Sequence, residues 1–566
     1  MFYNIINTGD HMTYNDNYQF WLKQDTMDPV LKQELLHLNE EEIKEVFYTD
    51  LSFGTGGLRG LMGVGTNRIN LYTIRKATSG FAKYIQKNQI KGGVAISYDN
   101  RKDSKRFAHD CAMVLAAEKI DSYLFENLRP TPMLSYAVRY FKCAGGIMIT
   151  ASHNPKEYNG YKAYDHTGAQ LNPEAAEAVI KETNLILNPF EINFTDDAHI
   201  HWIDETFDDL YLEEVETIRI NDSEEKNVKI VYSPLHGTGG EVIPKFLKKE
   251  GYDVYPYAPQ MIIDPSFKNT KSSNPEETLA YEESIQYAKE IDADIVMVTD
   301  PDADRLGIAV KHNNEFHLLT GNQTAVIELY YILTEKKKNH SLPKGGYVYT
   351  TNVTSSLIPV IAKSFDMQVV TTLTGFKFIG EQAEINKDKG IYIFGCEESY
   401  GSLIKDFVRD KDAVQAVYML SEIAEYAKEH QMTIIDYLEQ IYKTYGYYYE
   451  YTKSITMMGR SGIEKINAIM THFRMNPPTI EGKKLVSYDD ILSLIHVKGH
   501  HQTKLNYPSQ NVLKYDFEDD TWIVMRPSGT EPKIKIYYGT KSSSLEEAKI
   551  LIDHLSDSII QTIEKL

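Results

Sequence analysis

Residues Asp294–Arg305 read DIVMVTDPDADR, an apolar β-rich run that ends abruptly in a loop with aspartates at 300, 302 and 304. Two other segments repeat the pattern. Gly146–Thr150 (GIMIT) runs into ASHNP, and Gly390–Gly395 (GIYIFG) runs into CEESYG. A continuous apolar run suits a strand buried on both faces of a sheet. Amphipathic helical patterns lie between such runs, so the chain reads as α/β, with strands joined by crossover helices. Ligands of open α/β sheets bind beyond the carboxyl ends of the strands. Three sheets presenting these loops to one cleft would form a compound site.

Working outward, Gly93–Tyr98 (GVAISY) is an expected strand, and Ser104–Lys119 an expected helix with Ser104 at its start. Lys229–Leu235 (KIVYSPL) opens a second block, whose helix runs to about Glu250 and is stopped by Gly251. A helix is expected over Glu276–Glu290, and Gly346–Val353 opens a third block. Residues 14–48 read as a polar helical arm. Beyond Tyr449 the pattern changes to short β runs and a final helix near Leu545–Leu566.

The chain has 566 residues, enough for about three to five domains. It carries 60 basic and 80 acidic side chains, a net charge of −20. That balance excludes a general attraction to nucleic acid or to anionic membranes, but leaves room for a local basic pocket. The three cysteines form no CxxC pair and suggest neither a disulfide framework nor a zinc site. The N-terminus lacks the basic start and apolar run of a signal peptide. No apolar stretch approaches the length of a membrane span. A soluble protein of a reducing compartment is the expectation.

Several segments carry chemistry. In Thr150–Pro155 (TASHNP), an exposed Ser152 beside His153 suits a nucleophile, with Lys162 following in NGYK. In DPDADR, alternate residues of an extended loop converge, and three clustered carboxylates call for a hard dication. The same loop also fits an aspartyl-phosphate phosphatase, with Asp300 as nucleophile. In CEESYG, Glu397 and Ser399 suit sugar hydroxyls, although alone the segment reads as a capped helix start. In Arg526–Lys535 (RPSGTEPKIK), Arg526, Ser528, Gly529 and Thr530 can wrap an anion at a tight turn between two strands, and Lys533 and Lys535 add charge. The glycine-rich GTGGLRG carries Arg59 and TGFKFIG carries Lys377; neither is a Walker or dinucleotide loop. His236, in SPLHGTG, reads as structural.

Together and in this order, TASHNP, DPDADR, CEESYG and RPSGTEP resemble the α-D-phosphohexomutase superfamily, in its phosphoglucomutase/phosphomannomutase branch. The resemblance implies three similar α/β domains with mixed sheets and a smaller α+β C-terminal domain around a central cleft. On the sequence these fall at 51–212, 213–320, 321–448 and 449–566, after an arm at 1–50. The family's phosphoserine falls on Ser152, and its magnesium ligands on Asp300, Asp302 and Asp304 with the serine phosphate. Its sugar loop falls on Glu397 and Ser399, and its phosphate loop on Arg526, Ser528, Gly529 and Thr530. Arg59 and Lys162 match positions near the phosphoserine, Lys162 as acid/base, and Lys377 matches an active-site lysine. His153 and Arg305 join them as catalytic and substrate-binding candidates.

Two features depart from the family pattern. The metal loop is DPDADR where many members have DGDGDR, and no histidine follows the sugar-loop glycine. The implied activity interconverts glucose 1-phosphate and glucose 6-phosphate through a 1,6-bisphosphate. It would use one Mg²⁺ per site, with glucose 1,6-bisphosphate as activator. Mannose or pentose phosphates, bisphosphate synthesis, the phosphatase and a silent sugar-phosphate binder remain as alternatives. A cytoplasmic monomer or weak homodimer is expected.

Overall fold

The computed structural model describes residues 13–51, 57–195, 199–223, 225–457, 459–480, 482–528 and 533–566. Within these the chain builds four sheets. The first has strands Gly57–Leu61, Val94–Tyr98, Ser122–Phe125, Gly145–Ile149, Tyr158–Asp165 and Ile200–Ile203. Its four parallel members lie side by side, and Tyr158–Asp165 and Gly57–Leu61 close one edge antiparallel. The second sheet repeats this design. Lys229–Ser233, Asp253–Pro256 and Ile295–Thr299 are parallel, and Leu306–His312 returns antiparallel from the metal loop. In the third, Tyr347–Thr351, Gln368–Thr372 and Tyr392–Cys396 are parallel. The fourth is seven-stranded and antiparallel throughout. The architecture is three α/β/α units followed by an α+β unit.

The three runs that opened the reading are all central strands: Gly145–Ile149, Ile295–Thr299 and Tyr392–Cys396. Their side chains are buried almost throughout, because helices cover both faces. One apolar cluster runs from Met133 and Tyr211 through Ile230 and Met297 to Phe394 and Val417, joining the first three units. Val353, Leu373 and Phe378 of the third unit pack with Ile491, Trp522 and Tyr537 of the fourth. The arm forms three short helices, whose Trp21, Leu35 and Phe47 pack around Tyr72 of the first unit.

Two local expectations are corrected, at CEESYG and at the helix expected from Glu276. The glycine-rich stretch around Arg59 is partly a strand at the edge of the first sheet, with Arg59 opposite Gly160. CEESYG is the turn of a hairpin between Tyr392–Cys396 and Ser402–Leu403, and no helix starts there. The helix expected from Glu276 begins at Glu282. Before it, Asn274 Oδ1 accepts the Glu276 N–H in a turn, and the Tyr281 hydroxyl donates to Pro275 O. Ser104 opens its helix as expected; its hydroxyl donates to Asp99, and Asp103 precedes it at φ 61°.

Candidate active site

The loops that leave the carboxyl ends of the central strands meet. Ser152 sits in a left-handed turn at φ 52°. It is buried, at 2% exposure, and so departs from the exposed nucleophile expected. Its hydroxyl donates to Asp300 Oδ2 at 2.7 Å and lies 3.2 Å from His153 Nδ1. Burial lowers His153 far below the usual imidazole range, and Arg305 and Arg59 push the same way, so the ring is neutral.

The DPDADR loop turns sharply, with Ala303 at φ 50°, and is not the extended segment expected. The turn still brings the three carboxylates together, with one oxygen of each within 4.8 Å of the others. Asp300 Oδ1 accepts the backbone N–H groups of Asp304 and Arg305. Asp302 Oδ2 accepts Lys162 Nζ at 2.6 Å and the Thr131 hydroxyl at 2.8 Å. Asp304 Oδ2 lies 3.1 Å from Lys162 Nζ and 3.3 Å from Lys411 Nζ. Burial and the two neighbouring carboxylates raise Asp300 well above the carboxylate range. Burial also pushes Asp304 upward, but Lys162, Lys411 and Arg305 outweigh it and hold the group down.

Asp302 Oδ1 and Asp304 Oδ1 are buried and accept no hydrogen bond. A buried carboxylate oxygen without a partner is costly. Two such atoms beside Asp300 fit a hard divalent cation, which takes oxygen ligands. The residues that would hold it are Asp300, Asp302 and Asp304.

Arg59, Arg305, Glu397, Lys377 and Arg526 form a connected set of charges around this cluster. Arg59 donates to Asn154 Oδ1 at 3.1 Å. Arg305 Nη1 donates to Glu276 at 2.5 Å. Glu397 accepts the Gly375 N–H at 2.8 Å, next to Lys377, whose ammonium burial lowers to about 8. Ser399 is half-buried in the same hairpin turn. Arg526 and Lys535 are cross-strand partners, so both side chains face one way from the fourth sheet. The Arg526 Nε donates to the Tyr537 hydroxyl at 3.3 Å. Ser528 N–H donates to Lys533 O. Gly529 and Thr530 lie outside the described residues.

Sequence reasoning missed three features. Lys411 bridges Asp304 and Asp410, and its stem fills the space beside Gly401, so it joins the metal loop to the sugar loop. A lysine between two aspartates at a helix start, RDKDA, was the available signal. Arg101 and Asp99 form the frame of the Ser152 turn. They follow a buried strand just as the recognised loops do. Glu398, the second glutamate of CEESYG, is raised to about 7 by burial and by Glu397, and its Oε2 is buried without a partner.

Residues 50–188, 209–313 and 320–445 match phosphoglucomutase/phosphomannomutase alpha/beta/alpha domains I, II and III, and residues 479–551 match the C-terminal domain. A phosphoglucomutase of Staphylococcus aureus is 35% identical over 539 residues, 94% of this chain and 96% of the relative. The open form of Paramecium pp63/parafusin, a phosphoglucomutase, superposes with a TM-score of 0.66 at 19% identity, covering 92% of this chain and 96% of the other. The Aspergillus fumigatus N-acetylphosphoglucosamine mutase, solved with GlcNAc-6P and magnesium, gives a TM-score of 0.51 at 14% identity, covering 94% and 99%. Among the described residues, no helix is long and apolar enough to cross a membrane.

Proposed function

The chain belongs to the phosphoglucomutase/phosphomannomutase family, and from that premise we propose that it interconverts glucose 1-phosphate and glucose 6-phosphate. Ser152 is the proposed phosphoryl carrier. The observation that carries the reading is the Ser152 hydroxyl inside the carboxylate cluster, 2.7 Å from Asp300, with Lys162 bonded to the other two aspartates. Both oxygens of Asp300 are already engaged, one by Ser152 and one by two backbone N–H groups. The family match supports the serine over Asp300 as nucleophile, and a mutase over an aspartyl-phosphate phosphatase.

In the forward direction, the bond between phosphorus and Ser152 Oγ breaks as the sugar 6-oxygen bonds phosphorus, giving the 1,6-bisphosphate. The bisphosphate then turns over in the cleft, and Ser152 Oγ bonds the phosphorus at carbon 1 as its bond to the sugar 1-oxygen breaks, the 1-oxygen takes up the proton lost from the 6-hydroxyl, and glucose 6-phosphate leaves. Lys162 is the acid/base candidate, because its Nζ reaches into the carboxylate cluster that Ser152 touches. A bound magnesium ion would supply charge neutralisation for the transferring group. Glu397 and Ser399 are proposed to hold sugar hydroxyls, with Lys377 beside them. Arg526, Ser528 and Lys535 clip the phosphate that is not reacting, which makes the transfer effectively intramolecular. Glucose 1,6-bisphosphate would serve as activator by loading Ser152.

The three cysteines are buried and free, which suits a cytoplasmic protein. A monomer or weak homodimer is the proposed state. The deciding assay supplies glucose 1-phosphate, Mg²⁺ and a trace of bisphosphate. Formation of glucose 6-phosphate supports the reading, whereas release of free phosphate at the same rate refutes it.

A further inference from the structure

The Ser152 turn is held from behind. Its backbone carbonyls converge on one buried guanidinium: Arg101 donates to Ser152 O and Asn154 O at 2.6 Å, to Pro155 O at 2.8 Å and to Tyr158 O at 3.0 Å. Asp99 fixes Arg101 through its Nε at 3.1 Å and also accepts the Thr150 hydroxyl. A single planar cation thus sets four carbonyls, and with them the strained left-handed conformation of Ser152.

This frame does not close within the first domain. Residues 262–275 of the second domain cross over to it. The Phe267 ring lies 5.4 Å from the Arg101 guanidinium, and the Asn100 amide donates to Asp264 O. The Ser273 hydroxyl lies 3.0 Å from His153 O and 3.2 Å from Asn154 O, on the same turn that Arg101 grips.

The crossing segment is in turn held by His236, which is 1% exposed. Its Nδ1–H donates to Ile262 O at 2.7 Å, and its Nε2 accepts the Asn269 N–H at 3.3 Å. Both ring nitrogens are therefore spent on the two ends of one backbone bend. The ring also meets Phe267 edge-on, with centroids 6.2 Å apart.

We propose that Ser273 and His236 are positioning residues for the Ser152 turn. Residues 262–275 act as a brace that the second domain lays against the nucleophile of the first, and His236 sets the shape of that brace. The proposal rests on Ser152 being the phosphoryl carrier. A misplacement of about 1 Å at a reacting atom can cost ~10²-fold in rate. Loss of one of the two grips on the turn is expected to cost part of that.

The test uses the full chain. Phosphorylation of Ser152 by glucose 1,6-bisphosphate is timed by peptide mass spectrometry, beside kcat and KM for glucose 1-phosphate and the melting temperature. Ser273→Ala removes one hydroxyl. It should slow phosphorylation and kcat about tenfold and leave KM within about twofold. Its melting temperature should stay near the wild-type value. His236→Gln should give a loss of the same kind. Because both residues act through one segment, the double variant should lose less than the product of the single losses. Wild-type phosphorylation rates in Ser273→Ala would overturn the proposal. Multiplicative losses would remove His236 from it. If His236→Gln does not fold, Ser273→Ala decides alone. Failure of the wild-type chain to label Ser152 at all would instead refute the carrier assignment.

Discussion

Ser152 Oγ and Asp300 Oδ2 lie 2.7 Å apart, although they belong to different sheets. The contact exists because two central strands end at the same cleft, each with a tight turn that departs from extended geometry. Ser152 and Ala303 are both left-handed. It also makes the two rival nucleophiles neighbours, so location alone does not separate them. Their engagement differs: both Asp300 oxygens accept hydrogen bonds, one of them from the Ser152 hydroxyl itself.

The first prediction follows from that difference. Incubation with glucose 1,6-bisphosphate should add one phosphoryl group, on Ser152. Ser152→Ala should lose mutase turnover by several orders of magnitude with little change in melting temperature. Label on Asp300, or near-normal turnover in Ser152→Ala, would refute the mechanism.

Asp302→Asn removes one charge at nearly constant shape from the cluster where two carboxylate oxygens lack partners. Activity should fall by ~10²–10³, the usual cost of losing one electrostatic contact to a transition state. Chelation should abolish turnover, and added Mg²⁺ should restore it. Full activity after exhaustive chelation would remove any metal from the reading.

Arg526 stands on the fourth sheet, with Lys535 beside it. Arg526→Ala should raise KM for glucose 1-phosphate through loss of a charge-assisted bond. Phosphorylation of Ser152 by a small phosphoryl donor too short to reach the fourth sheet should be nearly unchanged. Equal losses in both assays would mean that Arg526 supports the fold or the chemistry rather than anchoring the far phosphate.

The strands that carry Ser152, the three aspartates and Glu397 were legible because each is a buried apolar run that breaks into a polar loop. The convergence of those loops was legible only as an expectation, since it depends on how three sheets pack. Lys411 and Arg101 were missed for the same reason. Each carries a local signal, but its partners, Asp304 for one and the Ser152–Tyr158 carbonyls for the other, are distant in sequence. The extended reading of DPDADR failed because alternation is a strand property, whereas a loop can converge its side chains by turning. Glu328 illustrates the remaining blind spot. It sits in helix Gly321–Lys338, which is buried on most of its surface, and nothing local separates it from a solvated glutamate.

Glu328 yields the last prediction. It is 1% exposed, its Oε1 accepts no hydrogen bond, and it lies beneath the hairpin turn at Tyr400–Ser402. Burial raises its carboxyl to about 8, opposed only by a hydrogen bond from Ser402. In the unfolded chain the group titrates near 4.5. Between those values the folded state holds the proton and the unfolded state releases it. Stability from this group is therefore full below about 4.5, falls as pH rises toward 8, and levels off above. Glu328→Gln keeps the shape and removes the titration. It should melt close to wild type at pH 5 and above it at pH 8.5. The gain should be ~2 kcal/mol or more, since one pKa unit corresponds to ~1.4 kcal/mol. Melting curves across that range check it. Parallel pH dependence in the two proteins would mean that Glu328 is ionised in the fold, with a partner supplied by solvent or by a movement of the hairpin.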